Sequence, residues 1–317
     1  MINPTVIVPL TGGLGNQLFQ YAFSIFLQEE MKCEVSIDLG IGRPRQTDGV
    51  TTLLNFNLPS KPAFLPEEAS RLNQLFTKSY GLILRKALNR NDKLCKEFDF
   101  FRYISTALLW YRYKEFLKVT AFSDLGYVED FKINKRNLFI GYFQTYLYSS
   151  HPKVFSILSK LEPQKVSQRY IELKSQICAQ KSLLIHVRLT DYLNEPGFGI
   201  PTVGYINKAL EEIASQRDYE CVWIVSDDVV AAKAYLTGIN TKLKLVFLND
   251  SNLTDFEVWD LLRDFNGYII ANSSFSWWAA FLKRDTTAPV FAPIPWFAGI
   301  TEPYRLIPTN WLRVNAS

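Results

Sequence analysis

The residues best suited to chemistry fall in four short clusters. His186-Val187-Arg188-Leu189-Thr190-Asp191-Tyr192 leaves the apolar run Ser182–Val187. Side chains alternate along extended backbone, so His186 and Arg188 share one side. A guanidinium at the carboxyl end of a strand suits a phosphate, which it grips as a fork without losing its proton. The plainer reading is an Arg188–Asp191 ion pair with His186 satisfied in a core. Asn272-Ser273-Ser274-Phe275-Ser276-Trp277-Trp278 is a polar turn that runs into apolar sequence. Ser273 or Ser274 is a natural helix cap, Phe275, Trp278, Ala279 and Leu282 recur as a buried stripe, and the first amides can hold an anion. Ser226-Asp227-Asp228 adds carboxylates that could accept from ribose hydroxyls or guanine N–H groups, or simply cap a helix. Gly12-Gly13-Leu14-Gly15-Asn16-Gln17 lets backbone approach a ligand and opens a helix. It half-matches a dinucleotide fingerprint: Gly13 and Gly15 are in place, Leu18 stands where the third glycine belongs, and Asp38 lies where a ribose-binding acid is expected.

Strands must carry these clusters. In the C-terminal half short apolar runs at 182–187, 221–225, 243–248, 268–271 and 289–292 alternate with helical stretches near 203–217, 229–237, 254–265 and 274–283. That alternation predicts a parallel sheet covered on both faces, a Rossmann-like half, with ligands at the carboxyl ends of its strands. The N-terminal half opens alike, with strands at 6–10 and 34–38 around a helix over 16–31, a possible strand at 137–143, and bridging helices near 151–161 and 164–179. The expected organisation is residues 1–160, residues 161–300 and a tail over 301–317.

Composition narrows the partners. The chain has 317 residues, 48% hydrophobic and 15% aromatic, which excludes a disordered or collagen-like polymer. Four cysteines lie far apart with no Cys-x-x-Cys, and two histidines lack zinc-ligand spacing. No apolar run reaches the ~18 residues of a membrane span, and the N-terminus lacks the basic and long apolar parts of a signal peptide, so a cytoplasmic protein is expected. Net charge is +4, yet residues 78–118 hold ten Lys/Arg against four acids, interleaved with aromatics. An anionic membrane, a charged substrate or a solvated helical face would each account for this segment. No nucleic-acid motif accompanies it, and no nucleic-acid partner is expected.

Taken in order, the Gly-Gly-Leu-Gly-Asn-Gln start, the His-Val-Arg-x-x-Asp-Tyr block, the Ser-Asp-Asp turn and Asn-Ser-Ser-Phe-Ser-Trp-Trp resemble glycosyltransferase family 11, the α-1,2-fucosyltransferases, of the bacterial type. The resemblance implies an α/β, GT-B-like architecture, two Rossmann-like domains with parallel sheets facing across a cleft. It implies an acceptor-side domain over 1–160 and a GDP-fucose-binding domain over 161–300. The reaction implied is inverting transfer of L-fucose from GDP-β-L-fucose to the 2-hydroxyl of a terminal galactose in a surface glycan or its precursor. It implies no cofactor and no obligatory metal, and no Asp-x-Asp occurs in the chain. On the matching positions Gly13, Gly15, Asn16, Gln17, His186, Arg188, Ser226, Asp227, Asp228, Asn272, Ser273, Ser274, Phe275 and Ser276 would bind the donor. Arg188, Asp191, Asn16 and His186 would be catalytic, with the general base open between Asp191 and His186. One position departs: a second Arg often follows the first in related enzymes, and here it is Leu189. The acceptor is then a galactose-terminated oligosaccharide, and the basic segment could meet an anionic membrane or lipid-linked glycan at the inner face. Fucosyl transfer in another linkage, α-1,6 or to protein, stands as the alternative. Two rivals remain, a nicotinamide oxidoreductase built on Gly13, Gly15 and Asp38, and a non-catalytic glycan-binding protein.

Overall fold

The computed structural model describes residues 3–10, 12–39, 52–59, 61–65, 125–127, 133–139, 141–190, 192–194 and 197–317. The basic segment 78–118 and Asp191 lie outside the described residues. The chain divides into two compact units, Met1–Leu161 with Pro303–Leu306, and Glu162–Glu302 with Ile307–Ser317.

The first unit contains β1 (Thr5–Pro9), α1 (Leu14–Glu29), β2 (Glu34–Asp38), β3 (Ala63–Phe64), β4 (Arg136–Leu138), α2 (Tyr146–Ser149) and α3 (Pro152–Leu158). Its four strands order as β3-β2-β1-β4, all parallel. Val6, Val8 and Val35 from the sheet meet Phe23 and Leu27 from α1, with Phe139, Phe143 and Tyr148 closing the cluster. Phe23 stacks on Phe143 at 3.9 Å and meets Phe139 edge-on at 5.6 Å. The strand expected over 137–143 ends early, at Leu138. Phe143 adopts φ 51°, a left-handed turn that delivers its ring to Phe23 and cannot continue a strand.

The second unit contains α4 (Gln168–Cys178), β5 (Ser182–Val187), α5 (Val203–Ala214), β6 (Cys221–Ser226), α6 (Val229–Tyr235), β7 (Lys244–Leu248), α7 (Asp255–Leu261), β8 (Gly267–Ile269), α8 (Ser274–Phe281), β9 (Val290–Ile294) and β10 (Leu312–Asn315). The sheet runs β10-β9-β8-β5-β6-β7, again wholly parallel. Residues 312–315, inside the segment read as a tail, form its edge strand beside β9. Every residue of β5 is buried, as a central strand covered on both faces requires. Helix starts are locally encoded: Ser167, Thr202, Asp228 and Ser273 each accept a first-turn amide with the side chain. Among the described residues no helix is long and apolar enough to cross a membrane.

Helix α8 departs from the expected one-sided stripe. Ser276, Trp277, Trp278, Ala279 and Ala280 are all buried, so it is enclosed nearly all round, while Phe275 is only half-buried. Its far end is held by Arg263, whose Nε donates to the Leu282 carbonyl at 3.1 Å. Arg263 belongs to a buried ionic cluster around Asp260, which is wholly enclosed. Asp260 accepts from Arg263 at 2.9 Å, from Arg284 at 2.9 Å and from the Tyr170 phenol at 2.5 Å. Arg284 also reaches Asp264 at 2.9 Å and Glu162 at 3.2 Å. Burial opposes the Asp260 charge, but the arginines and the Tyr170 hydroxyl hold its carboxyl below the usual range. Asp260→Ala would leave the buried Arg263 guanidinium without its carboxylate in a dry environment. It is expected to lower unfolding stability by about 3–5 kcal/mol, measured by urea denaturation of the full chain; a loss under about 1 kcal/mol, the range of an exposed pair, would contradict this.

Candidate functional site

Three of the four clusters meet at one edge of the second unit's sheet. β5 lies between β6 and β8, so the segments leaving these strands, 188–190, 226–228 and 270–276, emerge side by side. The β5–β6 register sets Val187 opposite Ser226. The next residue of each chain is therefore Arg188 beside Asp227, and Arg188 Nε donates to Asp227 Oδ2 at 3.2 Å. Among the described residues Arg188 thus pairs with Asp227; the Arg188–Asp191 pair considered from the sequence lies outside the described residues.

Asp227 does more than pair. It accepts from the Leu189 amide at 2.9 Å, from the Thr190 amide at 3.1 Å and from the Thr190 hydroxyl. Partial burial works against its charge, but the Thr190 and Leu189 hydrogen bonds and the Arg188 guanidinium keep its carboxyl below the ordinary range. The carboxylate thus gathers several donors from the Arg188 loop. Asp228 takes the capping role, accepting the Ala231 amide at 2.9 Å at the start of α6. Ser226 accepts the Asp228 amide at 3.2 Å, which ties the turn to itself. Thr190 was invisible as a functional position, since a lone threonine after Arg-Leu carries no signal until the neighbouring strand supplies its acceptor.

His186 is 6% exposed, its ring against Phe275 with centroids 6.1 Å apart. Burial, reinforced by the Arg188 charge, pushes its pKa down to about 3. The imidazole is therefore neutral at physiological pH and a poor proton acceptor, which counts against His186 of the two bases left open by the sequence. Its Nδ1 is buried without a hydrogen-bond partner among the described residues. Beside it a small pocket of ≈ 220 Å³, counted with its open mouth, is lined by His186, Arg188, Pro201, Tyr205, Tyr235 and Ala271. That is below the roughly 300 Å³ of an ordinary ligand pocket.

The third turn splits by role. Asn272 is 3% exposed and donates Nδ2 to the carbonyls of Phe198 at 2.8 Å and Gly199 at 3.0 Å, so it clamps a loop, while its Oδ1 is buried with no hydrogen-bond partner among the described residues. Gly199 sits at φ +69°, where an added Cβ would lie 2.7 Å from that of Ala298. Tyr192 donates its hydroxyl to the Asn272 carbonyl at 2.8 Å and stacks on Phe198 at 5.0 Å. Ser273 caps α8 by accepting the Phe275 amide, and Ser276 is fully enclosed, donating to the Ser273 carbonyl at 3.2 Å. Ser274 and Phe275 stay half-open, and the amides of this first turn have no intrahelical acceptors. Leu189, where a second arginine was anticipated, is 4% exposed and belongs to the core with Ile206 and Leu236. Its side chain points away from any anion held by Arg188.

The glycine-rich turn lies in the first unit. Gly12 has φ +75°, and a Cβ there would strike Asn16 Nδ2 at 2.7 Å, so glycine is required. Gly13 is exposed with open space around it, precedes α1 without a side-chain cap, and leaves that helix start free. Gly15 is buried within α1, with only its backbone to offer. Asn16 is half-buried, its Oδ1 accepting from Gln144 Nε2 at 3.0 Å. Gln17, expected at the donor, is fully buried and bonds the Gly12 carbonyl at 2.9 Å and the Leu53 amide at 3.1 Å. It holds the turn and presents no surface. Leu18 is equally enclosed, filling the space that a third glycine would have left for close helix packing.

The buried His186 makes a pH prediction. From pH 6.5 down to about 3 the unfolded chain binds a proton here and the folded chain does not. Folded stability then falls as pH drops, by up to about 1.4 kcal/mol per pH unit from this group. Tm followed from pH 7 to pH 4 is expected to fall more steeply in the parent than in His186→Asn; parallel curves would contradict a neutral buried ring.

Known proteins share this arrangement of elements and sequence. The chain is 25% identical over 316 residues to an α-1,2-colitosyltransferase of Escherichia coli, covering 98% of each. It is 24% identical over 320 residues to the O-antigen biosynthesis glycosyltransferase WbnK of Escherichia coli, covering 96% of this chain and 99% of the other. The crystal structure of fucosyltransferase NodZ from Bradyrhizobium has the same fold, with TM-score 0.50 and 15% identity over 89% of this chain and 94% of that one. Residues 5–296 match the profile of glycosyl transferase family 11. With two parallel α/β units and a phosphate-suited arginine at the edge of the second, the protein is a glycosyltransferase, and the chain belongs to glycosyl transferase family 11.

Proposed function

We propose that this enzyme moves L-fucose from GDP-β-L-fucose to the 2-hydroxyl of a terminal galactose, forming an α-1,2 linkage with inversion in a surface glycan or its precursor. The observation that carries the reading is Arg188, held by Nε on Asp227 with its loop amides bound to the same carboxylate. A guanidinium fixed in this position can present its planar fork to a diphosphate. The α8 amides beyond Ser273 supply further N–H donors. In the reaction the acceptor oxygen bonds to the anomeric carbon as the carbon–oxygen bond to GDP breaks, and the electron pair leaves with the β-phosphate. Fixed donors aimed at that growing charge stabilise the transition state more than the bound donor. The acceptor hydroxyl's proton must go to a base. The low basicity of His186 directs that role to Asp191, while Asn16 positions groups at the glycine-rich turn.

The relative that forms α-1,2-colitosyl bonds supports the linkage, and WbnK supports assembly of a surface glycan. The first of these also motivates a second reading, in which the transferred sugar is colitose. No metal or cofactor is assigned; the cationic role falls to Arg188 and the amides. The ten basic residues of 78–118 support peripheral contact with an anionic inner membrane face or a lipid-linked acceptor.

Incubation with GDP-fucose or GDP-colitose and a panel of galactosides, with linkage analysis of products, tests the reaction. An α-1,2-fucosylated galactoside is expected; products only with colitose would shift the donor, and none with either would overturn the reading. Arg188→Ala should lower kcat by about 10²–10³ with Tm unchanged, and Arg188→Lys should fail similarly because an ammonium cannot reproduce the fork. Near-parental turnover in either variant would remove Arg188 from the mechanism. In Asp191→Asn, loss of the acidic limb of the pH–rate profile is expected, whereas an unchanged limb would exclude it as the base.

A further inference from the structure

A second cluster stands out in the first unit, where the chain returns for only four residues, Pro303–Leu306. These residues form a turn closed by the Leu306 amide on the Pro303 carbonyl at 3.1 Å. Its third residue, Arg305, has φ 57°, a conformation that turns normally reserve for glycine or asparagine. Only Lys32, Phe143 and Arg305 among the described non-glycine residues adopt positive φ, and two of them frame this place. Phe143 precedes Gln144, which donates to Asn16, and the next two residues bind the turn. Thr145 Oγ1 and the Tyr146 amide both donate to the Arg305 carbonyl, at 2.8 and 2.9 Å. Backbone held in costly conformations by so many bonds marks side chains whose placement matters.

The side chains so placed are open and of one character. Tyr304 is 62% exposed, the Arg305 guanidinium lies 5.2 Å from its ring centroid, and the half-buried Tyr146 is tied to Arg305 through its amide. A single arginine over a tyrosine ring makes a poor phosphate cradle, which gathers several N–H donors. An exposed ring beside a planar, multi-donor group matches a pyranose, with its apolar face and its rim of hydroxyls. The cluster is also tied to Asn16 through Gln144, whose Nε2 is 3.0 Å from Asn16 Oδ1.

We propose that Tyr304, Arg305 and Tyr146 form the sugar platform that receives the acceptor glycan, the Tyr304 ring stacking on a pyranose and Arg305 donating to its hydroxyls. The assignment of an acceptor rests on the glycosyl-transfer reading above. The test uses the full-length chain with Arg305→Gly and Tyr304→Ala. Glycine relieves the left-handed backbone, so Arg305→Gly is expected to hold or raise Tm while removing the side chain. Each variant should raise the acceptor KM by roughly tenfold or more, with kcat at saturating acceptor and the Kd for GDP within about twofold of the parent. An unchanged acceptor KM overturns the platform; so does a matching loss of GDP affinity, which would put these residues on the donor. Saturation-transfer NMR with a galactose-terminated oligosaccharide and no nucleotide separates this from the reaction itself. If the parent transfers neither sugar yet binds the oligosaccharide, signals lost in both variants support the platform, and signals kept, or absent from the parent, overturn it.

Discussion

Asp227 is the point on which the second unit's edge depends. One carboxylate gathers the Arg188 guanidinium, two consecutive backbone amides and the Thr190 hydroxyl. Those bonds set the path of the chain after β5 and therefore the direction of Arg188. They exist because β5 and β6 run parallel in a register that brings Val187 beside Ser226. A shift of one residue would reverse which side chains face each other and dismantle the arrangement. The interaction also keeps Asp227 ionised despite partial burial, so the arginine is oriented before any anion arrives.

Rigidity behind that edge comes from a different kind of interaction. Helix α8 is enclosed by aromatic and small side chains and held at its far end by Arg263. Arg263 is buried, stacks its charge over Trp259 and depends on Asp260 for compensation. The cluster of Asp260, Asp264, Arg263, Arg284 and Lys174 thus fixes α8 relative to α4 and α7. Such a network contributes more to geometry than to net stability, since the desolvation of each charge offsets most of its attraction. Its consequence here is a helix N-terminus that cannot drift from the end of β8.

The first unit solves its own version of the problem with amides. Gln17 binds the Gly12 carbonyl and the Leu53 amide, Gln20 the Gly141 carbonyl, and Gln144 the Asn16 side chain. Uncharged amides satisfy these turns without placing charge beside the uncapped start of α1. Fixing both the glycine-rich turn and the segment before α2 from the same helix also explains why Phe143 tolerates a left-handed backbone: its ring packs against Phe23 on that helix.

The parallel α/β character, most strand positions and the helix caps were legible in the linear chain, because apolar runs, period and capping residues are local properties. So was the set of turns that carry the chemistry, since Gly-rich and Ser-Asp-Asp or Asn-Ser-Ser segments interrupt that pattern at strand ends. Individual roles inside those turns were not. Gln17, Asn272 and Ser276 look like ligand-binding residues by type, yet Gln17 and Asn272 hold the distant Leu53 amide and Phe198 carbonyl, and Ser276 is enclosed on carbonyls of its own turn. The edge strand at 312–315 was equally hidden, because four residues acquire strand character only by pairing with β9. Residue type and spacing therefore determined which chemistry this chain can perform. Tertiary structure alone decided that Asp227 meets Arg188, that the His186 ring is buried, and that Leu189 joins the core, because each depends on register and burial that no local stretch of sequence contains.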